Sequence, residues 1–172
     1  DDGTITVITG ETKCGKSTFA DTISINVARQ GKTTLVCSFE DPMQLVLNKF
    51  LTIQGGAFAS QMTPMEREQN MKELDKLPLY FVDRHGRMPW SELEEAIEYG
   101  VRSHGLWLVV LDHLHFFVEG DGYGDDVKEI NKTLARIENL VSKLGIHVIM
   151  IVHPHKLRND RDGYEIPPDL ND

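Results

Sequence analysis

The sequence predicts an α/β fold, a mostly parallel sheet with helices on both faces. Three observations predict it. Short apolar, β-branched runs alternate with helix-period stretches along the whole chain, and that alternation produces parallel strands joined by crossover helices. The run Thr33-Thr34-Leu35-Val36-Cys37-Ser38-Phe39 is apolar or β-branched at nearly every position, as a strand covered on both faces must be. The first strand, finally, runs through Gly10-Glu11-Thr12-Lys13-Cys14-Gly15-Lys16-Ser17 into a helix, the G-x-x-x-x-G-K-[ST] arrangement in strand–loop–helix context.

Each element has a local cause. Ile5-Thr6-Val7-Ile8 is the first strand, and residues 17–30 form a helix with Phe19, Ala20, Ile23 and Val27 on its apolar face and Gly31 as the C-cap signal. The second strand ends at Glu40-Asp41-Pro42, and residues 43–53 follow as a helix with Asp41 and Pro42 at its cap and first turn, broken by Gly55-Gly56. A polar segment from Ser60 and a charged helix over 65–75 lead to a short third strand, Leu79-Tyr80-Phe81-Val82. Ser91-Glu92-Leu93-Glu94 reads as a capping box, with Leu93, Ala96, Ile97 and Val101 at helical spacing behind it. Leu106-Trp107-Leu108-Val109-Val110-Leu111 is the fourth strand and closes on Asp112, the Walker B pattern. A loop with three glycines between Glu119 and Gly124 precedes a long amphipathic helix marked by Val127, Ile130, Leu134, Ile137, Val141 and Leu144. The fifth strand, 146–152, runs into His153-Pro154-His155-Lys156.

Bulk properties bound the function. A chain of 172 residues forms one domain with a core of its own. No run approaches the ~20 apolar residues of a membrane span, and no leader pattern is present. The chain opens almost directly on a strand and stops at Asp172 without a closing element, so 1–172 is expected to be a single domain cut from a longer protein, incomplete at both ends. Cys14 and Cys37 lack paired spacing and read as free thiols of a reducing compartment, cytoplasmic or mitochondrial matrix. A net charge of −9 argues against a broad basic footprint for nucleic acid, while leaving room for a narrow channel lined by a few loops.

In an open parallel sheet, ligands bind beyond the carboxyl ends of the strands. Each main strand here delivers polar residues to that edge. The loop Gly10, Glu11, Thr12, Lys13, Cys14, Gly15, Lys16, Ser17, with Thr18 after it, aims backbone N–H groups and a helix dipole at one point, which suits a polyphosphate. Lys16 would meet the β- and γ-phosphates, Ser17 would offer its hydroxyl to Mg²⁺, and Asp112 would hold Mg²⁺ through its water shell. Asp112 could instead cap the following turn. Glu40 is placed to deprotonate an attacking water, with a salt-bridged role as its competitor. His153 suits a γ-phosphate sensor, against a structural histidine. The i,i+2 pairs His113/His115 and His153/His155 lack a cysteine partner at zinc spacing and are read as phosphate-site neighbours.

Taken in order, Gly10 to Ser17, Ser38-Phe39-Glu40, Pro78-Leu79-Tyr80-Phe81, His85-Gly86, Val110-Leu111-Asp112 and Val152-His153-Pro154-His155-Lys156 resemble the helicase domains of the Twinkle, phage primase-helicase and DnaB-type replicative hexameric helicase family. The resemblance covers essentially the whole chain. It implies a RecA-like P-loop NTPase core, assembly into a hexameric ring, and ATP hydrolysed at subunit interfaces to move single-stranded DNA, with a primase domain in the same chain as a further possibility. It implies Lys16, Glu40 and His153 as catalytic or switch residues and Ser17 and Asp112 at the metal. Two channel loops would be residues 118–126 and 156–165. The second carries Lys156, Arg158 and Arg161 as DNA-backbone contacts; the first is acidic and suits that role poorly. The later segment that supplies a third DNA loop and an arginine finger, and the upstream linker helix, have no counterpart in the sequence.

Other functions compete. A RecA- or KaiC-like ATPase would form filaments or rings without unwinding. A small-molecule P-loop kinase would need an Arg-bearing lid, for which residues 55–71 offer only Arg67. A scaffold without catalysis conflicts with the joint presence of Lys16, Glu40 and Asp112.

Overall fold

The computed structural model describes residues 3–84, 86–113 and 126–152, with side chains from residue 131 in the last stretch. The elements are β1 (Ile5–Thr9), α1 (Lys16–Arg29), β2 (Thr33–Ser38), α2 (Met43–Gly55), α3 (Pro64–Leu74), β3 (Leu79–Phe81), α4 (Trp90–His104), β4 (Leu106–Asp112), α5 (Asp126–Leu144) and β5 (His147–Val152), with a 3₁₀ turn at Ala59–Gln61. The five strands form one sheet in the order β1-β5-β4-β2-β3, parallel at every pairing.

The continuous apolar runs follow from cover on both faces. Leu35 and Cys37 of β2, Val109 and Leu111 of β4, and Val148 and Met150 of β5 pack against Leu93 and Ile97 of α4 and Ile137, Leu140 and Val141 of α5. Their sequence neighbours point the other way: Val36 meets Ile25 of α1 and Phe50 and Leu51 of α2, while Leu108, Val110, Ile149 and Ile151 meet Ala20 of α1. Side chains alternate faces along a strand, so two apolar layers require both sets to be hydrophobic. The register levels the strand ends, since Thr9 pairs with Val152, Ile151 with Asp112, and Asp112 with Ser38.

Local chemistry departs from expectation at three helix starts or faces. Ser91 and Glu94 do not cap α4, which begins at Trp90 on Pro89 without a side-chain cap. Trp90 is buried and its Nε1 donates to Glu94 Oε2 at 3.1 Å, so seating the indole sets the helix start and takes Glu94 from the cap. The capping box lies at α3 instead, where the Thr63 hydroxyl accepts from Glu66 N and the Glu66 carboxylate accepts from Thr63 N at 2.8 Å. Asp41 does not cap α2; Pro42 is the N-cap, with no side-chain hydrogen bond, and Asp41 pairs with Lys49. On α1, Phe19 is 60% exposed. The helix is wedged between the sheet and α2, so Asp21, Ser24 and Ile25 join Ala20 and Ala28 in its buried surface. Its C-terminus follows expectation: Gly31 N donates to Ala28 O and Lys32 N to Val27 O, the paired bonds of a Schellman motif.

Candidate functional site

The phosphate-type loop spans the end of β1 and the start of α1. Gly15 is the N-cap of α1 at φ +91, a left-handed conformation that a Cβ would strain, and Phe19 N donates to its carbonyl at 2.9 Å. At Gly10 a Cβ would lie 3.2 Å from Cys14 Sγ, so the glycine lets the loop close on itself. Lys16 is 7% exposed and its ammonium donates inward, to Gly10 O at 2.7 Å and Glu11 O at 2.6 Å. An ammonium held by the carbonyls of its own loop is poised to exchange them for anionic oxygens. Glu11, Thr12, Lys13, Cys14 and Thr18 are exposed around it.

The second part of the site comes from β4 and β2. Asp112 is 5% exposed and His113 4%. His113 Nδ1 lies 2.6 Å from Asp112 Oδ1 and 3.3 Å from Glu40 Oε2, so the imidazole stands between the two carboxylates. Burial pushes the Asp112 carboxyl upward, but the close approach of His113, the Ser17 hydroxyl and the Lys49 charge together hold it below the usual range. Ser17 and Asp112, from different elements, therefore lie near enough for the hydroxyl to act on the carboxylate. The Oδ1 atom is buried without an aligned hydrogen-bond donor. A buried carboxylate oxygen beside a serine hydroxyl fits a hard cation, and Mg²⁺, which keeps most of its waters, asks few protein ligands.

Glu40 projects from the edge because its neighbour is clamped. Phe39 is fully buried, its N donates to Asp112 O at 3.1 Å, and its carbonyl accepts from Gly86 N at 2.9 Å. Glu40 itself is 61% exposed. Lys16, Ser17, Glu40 and Asp112 are thus brought to one edge. His153, Lys156, Arg158 and Arg161 lie outside the described residues, as do 118–125 of the first expected channel loop; Asp126 opens α5.

Sequence reasoning misses three members of the site. It weighs His113 only as half of a possible metal pair, although this residue directly follows the Asp that closes an apolar run. Asp21, 7% exposed, stands one turn after Ser17 on the same helix face, and burial pushes its carboxyl up to about 7, against the opposing charge of Lys49 and with help from Asp112 and Asp41. Lys49 is the only charged residue of α2, which is the signal that could have found it.

Residues 1–159 match the AAA domain family. The chain belongs to that family. As an AAA domain it has a RecA-like P-loop core, a nucleotide-binding architecture, built here on five parallel strands. Among solved structures, this AAA domain is similar to one described as an ATPase domain, with a TM-score of 0.82 at 14% identity over 99% of this chain and 64% of that one. It is also similar to a DnaB-like replicative helicase described with its interactions with primase, with a TM-score of 0.81 at 14% identity over 98% of this chain and 44% of that one. At such identities the likeness is one of fold, and the chain spans less than two thirds of either. Among the described residues no helix is long and apolar enough to cross a membrane.

Proposed function

We propose that this chain is the ATP-hydrolysing motor domain of a replicative DNA helicase, working in a hexameric ring to move along single-stranded DNA. One observation carries the reading: Lys16 and Ser17 at the start of α1, Asp112 at the end of β4 and Glu40 beyond β2 meet at one level sheet edge, with His113 bridging the two acids. Binding of phosphate alone would need only the loop. Hydrolysis also needs a carboxylate able to take a proton, and Glu40 supports that role.

In this reading the polyphosphate of ATP enters the loop, and the Lys16 ammonium releases the carbonyls of Gly10 and Glu11 for phosphate oxygens. The Ser17 hydroxyl and Asp112 would hold Mg²⁺, which when bound neutralises charge on the β- and γ-oxygens. Glu40 orients a water and accepts its proton as that water attacks the γ-phosphorus and the bond to the ADP oxygen breaks. His113, within reach of Glu40 and Asp112, keeps the two carboxylates at a fixed separation. His153 as γ-phosphate sensor, the DNA contacts of Lys156, Arg158 and Arg161, and an arginine from a neighbouring subunit rest on the motif resemblance.

The test is the ATPase of the full-length protein with and without single-stranded DNA. Stimulation by DNA is expected, and a rate indifferent to DNA would count against the helicase. Glu40→Gln should keep ATP binding and lose about 100-fold or more in turnover, the scale of a lost general base. Turnover at the wild-type rate in that variant refutes the assignment of Glu40.

A further inference from the structure

We propose that Lys49 is a positioning residue of this site: through its ion pair with Asp41 it holds the connection between β2 and α2, and with it the Glu40 carboxylate, against the Ser17–Asp112 centre. The inference rests on the hydrolytic reading above.

The need for such a device follows from the local structure. Glu40 is largely exposed, so burial does not hold its side chain; His113 Nδ1 meets the carboxylate at 3.3 Å, and its aim depends also on the backbone that carries it. That backbone leaves β2 after Ser38 and turns into α2 on Pro42, which contributes no side-chain cap. The residue joined to Glu40 within this turn is Asp41. Its carboxylate pairs with Lys49, two helical turns into α2, and so ties the turn to the body of the helix. Phe50 and Leu51, next to Lys49, are buried against the sheet, so the tether is anchored on a fixed element. Both partners are only about one third exposed, at 36% and 29%, where an ion pair is less screened than on an open surface.

The surroundings explain why a cation is needed there. Asp21 of α1 and Asp112 of β4 also act on the Lys49 ammonium. Burial works against its charge, but the Asp41 hydrogen bond and the charges of Asp41, Asp21 and Asp112 prevail and raise its affinity for the proton. Without Lys49, the Asp41 carboxylate would lose its partner and stand in the field of Asp112, beside the buried Asp21, with nothing to hold the turn that carries Glu40. A displacement of about 1 Å in a catalytic group can lower the rate on the order of 100-fold.

The experiment compares the full-length wild type with Lys49→Met, Lys49→Arg, Asp41→Asn and the double variant Lys49→Met/Asp41→Asn, reading kcat and nucleotide KM separately, with thermal melting to confirm folding. Lys49→Met should lower kcat about 10- to 100-fold with KM within about twofold. Lys49→Arg should recover most of the rate, and the double variant should be no slower than the slower single one. If Lys49→Met fails to fold, Lys49→Met/Asp41→Leu, which removes both charges, takes its place with the same expectation. Wild-type kcat in Lys49→Met, equal impairment of the Arg and Met variants, or additive losses in the double variant would overturn the inference. A wild type that binds nucleotide and never hydrolyses it would instead refute the hydrolytic reading itself, and this inference with it.

Discussion

Replacing Asp21 with Asn should make the protein more stable at neutral pH and leave its stability nearly unchanged only below about pH 4. The side chain is 7% exposed, and its carboxyl is pushed from an ordinary 3.8 to about 7, first by burial, with Lys49 opposing and Asp112 and Asp41 adding to the rise. Folded Asp21 therefore keeps its proton up to about pH 7, whereas the unfolded chain releases it near 3.8. Across that window the folded state binds more protons, so the stability this group contributes is full in acid and is lost as pH rises through the folded value. Roughly 3 pH units at about 1.4 kcal/mol each give about 4 kcal/mol in all. The assay is urea unfolding of wild type and Asp21→Asn, free of nucleotide, at pH 4.5, 6 and 8. The gap between them should widen in favour of the variant by about 3 kcal/mol from pH 4.5 to 8. Any loss of packing from the amide is common to all three points and cancels. Parallel pH profiles would refute the reasoning, because they would mean that Asp21 is ionised in the fold at ordinary carboxylate pH.

Two further predictions concern the core and the loop. Phe50 is fully buried and meets Phe81 edge-on at 4.9 Å between centroids, so Phe50→Ala should destabilise by about 3–5 kcal/mol. That corresponds to a fall in Tm of about 10 °C for a chain of this size, which calorimetry would read directly. Cys14 is exposed while Cys37 is buried, and Lys16 Nζ lies 3.8 Å from Cys14 Sγ. Alkylation with N-ethylmaleimide should therefore modify Cys14 first and abolish nucleotide binding, and nucleotide should slow the modification; equal labelling rates followed by mass spectrometry would count against it.

How much of the fold is legible in the sequence depends on how local each cause is. Every strand and long helix can be read there, because a buried parallel strand needs a continuous apolar run and a helix an apolar stripe, and both are written in consecutive residues. Boundaries fail where a distant partner intervenes. The Ser91-x-x-Glu94 pattern is a valid cap signal, but Trp90 gains more by burial than Ser91 by capping, and nothing within four residues reveals that. Thr63-x-x-Glu66 carries the same signal, with Pro64 at the first helical position, and there no competing burial displaces it. The face of α1 is misread for a related reason: an apolar stripe shows one buried side, and a helix packed between a sheet and another helix has two.

The sequence by itself determined the strand–loop–helix from Gly10 to Ser17, the alternation that makes a parallel sheet, and the acids at the ends of two strands, because each follows from spacing within a few residues and from the preference of ligands for the carboxyl edge. Tertiary structure alone decided the strand order β1-β5-β4-β2-β3 and the level register that sets Ser38 beside Asp112. From these follow the contacts of His113 with both carboxylates and the ion pair of Lys49 with Asp41 in the field of Asp21 and Asp112. Those partners come from separate elements, and the free energy that unites them is the burial of the two apolar layers on which the elements ride. Charge pairs of this kind are consequences of packing, so no spacing in the chain announces them.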